Sequence, residues 1–198
     1  MFHVKHEGWT FDDLPPQRRG KLEQFLELLE TRAVPAGLIS RRDRSDLWAR
    51  HILDSLRGAP FVPVQTSRAA DLGTGAGLPG IPLAIALPHV RTSLVDARRN
   101  RAAFLEFAVA DLGLPNVEVV AGRVEDLPRA FDICLARGFA RPAATWEAAD
   151  RALREGGRLL YWAGASFDPS AVPPGARLVE LGEPALESGG PIAIMARQ

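Results

Sequence analysis

Cysteine is almost missing from this 198-residue chain. Its single cysteine, Cys134, excludes a disulfide framework or an all-cysteine zinc site and suits a reducing compartment. Lysine is nearly as scarce: Lys5 and Lys21 are the only two among 24 basic residues, and the others are arginine. Charge of one sign is not in excess either. The 24 acidic residues cancel the basic ones, so no uniform positive field covers the molecule, which excludes a strongly basic nucleic-acid coat. No apolar run approaches the ~18 residues that cross a bilayer, so no membrane partner is expected. The opening MFHVKHEGWT has neither a long apolar core nor a small-residue cleavage site, so no signal peptide is expected and the cytoplasm is the expected location. No internal repeat shows, and no His/Cys cluster has metal-ligand spacing, so no metal is expected. What is present is 46% hydrophobic residues on a neutral chain, enough for a folded core of about one domain.

Residues 1–60 read as a helical cap. Pro15-Pro16 can open a helix, Leu22, Phe25, Leu26, Leu28 and Leu29 recur at helical spacing, and Pro35-Ala36-Gly37 breaks the pattern. A second helix is expected from about Ser45, carrying Leu47, Trp48, His51, Ile52 and Leu56, with Gly58-Ala59-Pro60 as its stop. From 61 to 198 the pattern becomes a main core, with RAADLG, VRTSLVDA, VEVVAG, FDICLARG and RLLYWAG as strands. Between them lie PGIPLAIAL, RRNRAAFLEFAVADLG and PAATWEAADRALREGG as helices, the last ending at Gly156-Gly157. Strands alternating with helices imply an α/β fold with a mostly parallel sheet covered on both faces. Two final strands, ARLVELGEP and PIAIMARQ, have no helix between them and are expected as an antiparallel edge pair.

The sharpest signal is Asp71-Leu72-Gly73-Thr74-Gly75-Ala76-Gly77-Leu78-Pro79-Gly80, at the turn from strand to helix. Glycines there permit positive φ and let a ligand approach the backbone. Counted from Gly73 the run is G-x-G-x-G; counted from Gly75 it is the dinucleotide pattern G-x-G-x-x-G, so the glycines alone do not name the cofactor. Asp96 ends the next strand, where a carboxylate can accept hydrogen bonds from the two hydroxyls of a ribose; its alternative role is a helix cap. NAD would require its pyrophosphate at the helix start and usually a substrate domain. S-adenosyl-L-methionine carries no phosphate and needs room for an amino-acid tail; Asp71 is placed for the ammonium of that tail or for a loop hydrogen bond. The short remainder of the chain favours S-adenosyl-L-methionine.

These stretches resemble the ribosomal RNA small-subunit methyltransferase G family, also called glucose-inhibited division protein B. The resemblance is carried by Arg50-His51-Ile52-Leu53-Asp54-Ser55-Leu56, by DLGTGAGLPGIPLAIALP at 71–88 and by LVDARRNRAAFLEFAVADLGL at 94–114. It continues with Gly122-Arg123-Val124-Glu125, Ala136-Arg137-Gly138-Phe139-Ala140 and GGRLLYWAG at 156–164. It implies a Rossmann-like methyltransferase fold and transfer of a methyl group from S-adenosyl-L-methionine to N7 of a guanine in 16S rRNA. Cofactor contacts implied or supported by position are Gly73, Gly75, Gly77, Leu78, Asp96, Val124, Glu125 and Arg137. The chain departs from the family at Gly37-Leu38-Ile39-Ser40, Ala97 and Ala163, which touches RNA contacts more than cofactor binding.

Guanine N7 carries an in-plane lone pair and no proton, so no catalytic base is required and none is nominated. A nearby carboxylate, Asp54 or Glu125, could favour the cationic product, although Asp54 also fits a helix cap or a hydrogen bond to Arg50. In A-form RNA the N7 edge lies in a groove too deep for side chains, so the substrate is expected to be a loop or splayed base. The candidate RNA contacts are Arg41, Arg42, Arg44, Arg98, Arg99, Arg101 and Arg141, each of which could equally be solvated surface. Trp48 is expected in the core and His51 as a hydrogen-bonded helix residue. The expected partner is small-subunit rRNA or the assembling 30S subunit, acted on by a monomer. The competing readings are a small-molecule methyltransferase and a non-catalytic ribosome-associated nucleotide-binding protein.

Overall fold

A computed structural model describes residues 11–170, 172–184 and 189–198. The extreme N-terminal stretch weighed as a signal peptide, and Lys5, lie outside the described residues. Helix α1, Pro16–Leu28, starts at two prolines and widens into a π turn over Leu29–Ala33. Its side chains at spacings of three and four, Leu22, Phe25 and Leu29, are fully buried. The helix expected from Ser45 is instead three short pieces. A 3-10 turn, Arg41–Asp46, opens where Ser40 Oγ accepts from the Arg42 N–H. A π turn follows over Trp48–Leu53, and α2 spans only Asp54–Leu56.

Then the strands alternate with helices. β1 (Arg68–Leu72), α3 (Gly80–Ala86), β2 (Arg91–Asp96), α4 (Arg99–Asp111), β3 (Val117–Ala121) and β4 (Phe131–Arg137) come first. α5 (Pro142–Ala152), β5 (Leu153–Trp162), β6 (Ala176–Gly182) and β7 (Ile192–Arg197) complete the chain. The strands form one seven-stranded sheet in the order β3-β2-β1-β4-β5-β7-β6. The first five are parallel, and β7 runs antiparallel to both β5 and β6. The expected C-terminal pair is therefore present, with the last strand set inside and β6 on the edge. One boundary differs. α5 ends at Ala152, not at Gly156-Gly157, because Leu153 already pairs with Phe131 and the residues up to Gly157 form a bulge before Arg158 meets Ile133.

Helices cover both faces. One apolar cluster joins α1 and the short turns of the cap (Leu22, Phe25, Ile52, Leu56) to Ile81 and Ile85 of α3 and Leu94 of β2. Trp48 packs against this cluster half-buried, edge-on to Phe11 with centroids 4.9 Å apart. A second cluster joins α5, through Trp146 and Ala149, to Cys134, Leu159 and Met195 on the other face. Strand β4 carries only buried residues up to Ala136, as a strand covered on both sides requires. The sheet order reverses beside β1, with β2 and β3 on one side and β4 and β5 on the other. In such sheets the crevice at the strands' C-terminal ends, at the reversal, is the ligand position.

Candidate cofactor crevice

Three strand ends converge on that crevice. Asp71, at the end of β1, is fully buried. Its Oδ2 accepts from Thr74 Oγ1 at 2.5 Å and from the Gly80 N–H at 2.8 Å, which ties the glycine loop to the start of α3. Its Oδ1 is buried without a hydrogen-bond partner among the described residues, and burial pushes the carboxyl up to about 6. Of the two roles open to Asp71 in the sequence, the loop hydrogen bond is realised. The loop then crosses to β2, where Thr74 N–H donates to Val95 O at 3.0 Å.

The glycines of the loop do different jobs. Gly73, Gly75 and Gly77 all have positive φ. A Cβ on Gly73 would lie 2.5 Å from the Phe139 ring, and one on Gly77 would collide with Ile81, so both are packing positions. At Gly75 a Cβ would meet only Gly73 O at 3.9 Å and Arg101 at 4.0 Å. That bare backbone is the part of the loop a ligand can reach. Leu78 belongs to the core, and its N–H already donates to Thr74 O at 3.1 Å, so it offers a ligand no free donor.

Asp96 stands opposite Gly75 at the end of β2 and is almost fully buried. Its Oδ1 accepts from the Arg98 N–H at 2.9 Å. Its Oδ2 accepts from the Gly75 N–H and from the Arg101 guanidinium, each at 3.1 Å. Arg101 therefore turns inward to the crevice carboxylate instead of outward as an RNA contact. Beyond β3, Gly122 N–H donates to Asp96 O at 3.2 Å, which sets the Arg123–Glu125 segment beside Asp96. Val124 is buried in the wall, while Glu125 points to solvent and pairs with Arg123 at 3.4 Å.

Arg137 ends β4 and reaches the cap. It donates to Asp54 Oδ2 at 3.3 Å and to Arg50 O at 3.4 Å, and it bonds His51 Nδ1. Asp54 also pairs with Arg57 at 2.5 Å, so its partners are Arg137 and Arg57; Arg50 pairs instead with Asp43 at 3.6 Å. Arg137's bond makes His51 Nδ1 an acceptor, and burial with the Arg137 charge pulls His51 down to about 4. Arg50, His51, Asp54, Arg137, Trp162 and Gly190 line a cavity of about 200 Å³ beside these groups. Asp43 Oδ2 stands 3.7 Å from His51 Nε2, so the turn bearing Arg41, Arg42 and Arg44 flanks this cavity. Those three arginines, with Arg98, Arg99 and Arg141, are exposed at the C-terminal end of the sheet.

The family model described as rRNA small subunit methyltransferase G matches residues 18–169. The chain belongs to that family. Relatives bearing the name "Ribosomal RNA small subunit methyltransferase G" include one from Acidiphilium cryptum, 39% identical over 150 residues, covering 74% of this chain and 69% of that protein. Another, from Nocardioides sp., is 46% identical over 120 residues, covering 60% of this chain and 48% of that protein. The chain spans about half the length of the Nocardioides relative. Among solved structures, a MtNAS variant in complex with S-adenosylmethionine is 17% identical with a TM-score of 0.61, covering 91% of this chain and 72% of that one. The mitomycin 7-O-methyltransferase MmcR, also 17% identical, has a TM-score of 0.60 over 95% of this chain and 70% of that one. The fold is the Rossmann-like one of S-adenosylmethionine-dependent methyltransferases.

Of the eight expected cofactor contacts, Gly75 and Asp96 are joined by a hydrogen bond, Val124 is buried beyond β3 and Arg137 binds the cap, while Gly73, Gly77 and Leu78 are packed and Glu125 faces solvent. Sequence reasoning missed Phe139, which fills the space above Gly73, and Trp162, whose Nε1–H donates to Asp54 O at 2.9 Å. An aromatic two residues beyond a strand-ending Arg was the available hint for the first. Nothing local marked the second. Among the described residues no group of three His, Cys, Asp or Glu is arranged to hold a metal, and no helix is long and apolar enough to cross a membrane.

Proposed function

We propose that the chain binds S-adenosyl-L-methionine in this crevice and transfers its methyl group to N7 of a guanine in a loop of 16S rRNA. The observation that carries the reading is the pairing of Gly75 with Asp96, in a chain of the rRNA small subunit methyltransferase G family. An open backbone glycine beside a buried carboxylate suits a ribose diol, and the partnerless Asp71 Oδ1 is an acceptor in reserve for a cationic tail. When bound, the cofactor supplies an electrophilic methyl group on a sulfonium.

The protein's own residues bind, orient and exclude water. Asp96 accepts from the ribose, and Val124 gives an apolar wall to the base. Arg137, held between Asp54 and His51, fixes the cap against the strand ends. Neither His51 nor Asp71 is needed as a base, since N7 has no proton to lose. Alignment of this kind can supply about 7–11 kcal/mol of a barrier. Exposed arginines around the mouth would hold the phosphates of a splayed loop. The partner is small-subunit rRNA or the assembling 30S subunit, in the cytoplasm, and the acting species is a monomer.

Labelled cofactor incubated with undermodified 16S rRNA, and separately with 30S subunits, tests the reading. Strand scission at 7-methylguanine should map the label to one guanine. Absence of transfer to either substrate, or transfer to another atom, overturns it.

A further inference from the structure

The opposite end of the sheet carries a second concentration of arginine. At the N-terminal ends of β4, β5 and β6, together with the C-terminal end of β7, lies a cavity of about 530 Å³. Arg129, Arg154, Arg158, Arg177 and Arg197 line it, against two acids, Asp150 and Glu155. Two of the cations are neutralised: Arg197 pairs with Asp150 at 2.6 Å, and Arg154 pairs with Asp132. Three have no carboxylate partner among the described residues. Arg129 donates to Leu153 O at 3.3 Å and Arg177 to Arg197 O at 3.2 Å, and the Arg158 side chain has no hydrogen bond or ion pair among the described residues. The floor is backbone at Gly156, where a Cβ would meet nothing within 4 Å.

We infer that this cavity is a second RNA-contact site, which takes the phosphodiester backbone of the substrate away from the reacting base. The inference rests on the rRNA reading above. Pockets for small organic ligands are lined predominantly by apolar side chains, whereas seven of the thirteen residues lining this one are charged. Guanidinium groups fit phosphate oxygens two at a time and cannot be neutralised by deprotonation. Arg158 of β5 and Arg177 of β6 flank β7, both opposite Ala196 and so about 9.5 Å apart at ordinary strand spacing, and Arg129 adds a third cation in the loop before β4. One small anion would leave that row mostly unmatched; a chain of phosphates matches it along its length. A substrate as large as ribosomal RNA can reach both ends of the sheet.

The test is a salt titration of binding to a small-subunit rRNA fragment. Arg158→Gln with Arg177→Gln keeps the aliphatic stems and removes two cations that hold no ion pair. Affinity should fall severalfold, and the slope of log affinity against log salt should flatten by about 1.4, at roughly 0.7 per lost single-strand phosphate contact. Arg158→Lys with Arg177→Lys should keep the slope, and cofactor affinity should be unchanged in both. An unchanged slope in the glutamine variant overturns the assignment. So does protection by inorganic phosphate, read as a raised melting temperature, with RNA binding unaltered. Should the glutamine variant fail to fold, photocrosslinking of RNA to the wild-type protein decides: crosslinks at 154–158 support the site and their absence refutes it. Methyl transfer is scored separately. Transfer to N7 with an unchanged slope sinks only this site, and a changed slope without transfer sinks only the proposed reaction.

Discussion

Asp96 has fewer free lone pairs than its position suggests. An ionised carboxylate offers about four acceptor positions. The Arg98 N–H, the Gly75 N–H and the Arg101 guanidinium take three of them. On the proposed reading a ribose diol brings two donors, so Arg101 would have to release one position. Removing the carboxylate and removing the competitor should therefore act differently. Asp96→Ala should weaken S-adenosyl-L-methionine binding by roughly 10–100-fold, the size of a hydrogen bond to a charged group. Arg101→Met should leave affinity unchanged or raise it. Titration calorimetry on the two variants checks this, and a tenfold loss in Arg101→Met would show that the guanidinium supports the ribose site instead of occupying it.

At the scale of elements, the crevice depends on how the cap is fastened to the sheet. Asp54 of α2 bridges Arg57 and Arg137, and Trp162 at the end of β5 reaches back to the Asp54 carbonyl. The Trp162 ring also fills the space that a side chain on Gly58 would need, with a Cβ there only 2.5 Å from the ring. Gly58 has ordinary helical angles, φ −72 and ψ −20, so alanine brings no backbone strain. On the chain-entropy effect alone, Gly58→Ala would stabilise by about 0.4–1 kcal/mol. The collision with a ring already pinned by its N–H should reverse that sign and cost about 1–3 kcal/mol. Urea unfolding should show a lower midpoint at unchanged slope; an unchanged or raised midpoint would mean the ring moves freely and does not fasten the cap. This joint also marks where the sequence stops being readable. β1, β2 and β4 were legible because each is a short apolar run closed by a glycine or an acid. The Asp54–Arg137 pair joins residues 83 apart, and no local pattern announces it. The Arg98–Arg101 run reads as one charged helix start, yet only Arg101 swings back over Asp96, a direction that the end of β2 decides. The early end of α5 has the same origin, since pairing with β4 overrides the helical pattern beyond Ala152.

For the molecule as a whole, the zero net charge conceals local charges that oppose one another, and pH exposes them. His51 has its pKa drawn down to about 4, chiefly by burial and then by Arg137. Its folded form binds fewer protons than the unfolded chain between about 4 and 6.5. His51 therefore contributes stability that is present above about 6.5 and lost as pH falls towards 4. Asp71 is raised to about 6 by burial and behaves in the opposite way. Its folded form holds its proton longer, so it costs nothing below its unfolded value of 3.8, and the cost grows until pH passes about 6. Each effect amounts to about 3 kcal/mol at most, at 1.36 kcal/mol per pH unit of displacement. The two slopes offset one another between pH 4 and 6. Asp132, held at about 2 by the Ser67 and Arg68 N–H groups and by Arg154 against the opposing effect of burial, changes only below this window. Single substitutions by uncharged amides should separate the pair. Relative to wild type, His51→Gln should become progressively less stable as pH rises from 4 to 6.5, because wild type regains the histidine contribution and the variant does not. Asp71→Asn keeps an acceptor for Thr74 and Gly80, and should become progressively more stable relative to wild type from pH 4 to 6. Denaturant unfolding at pH 4, 5, 6 and 7 gives both difference curves with all other titrating groups cancelled. Slopes of the same sign in the two curves would show that the buried carboxyl and the buried imidazole do not counterbalance across the crevice.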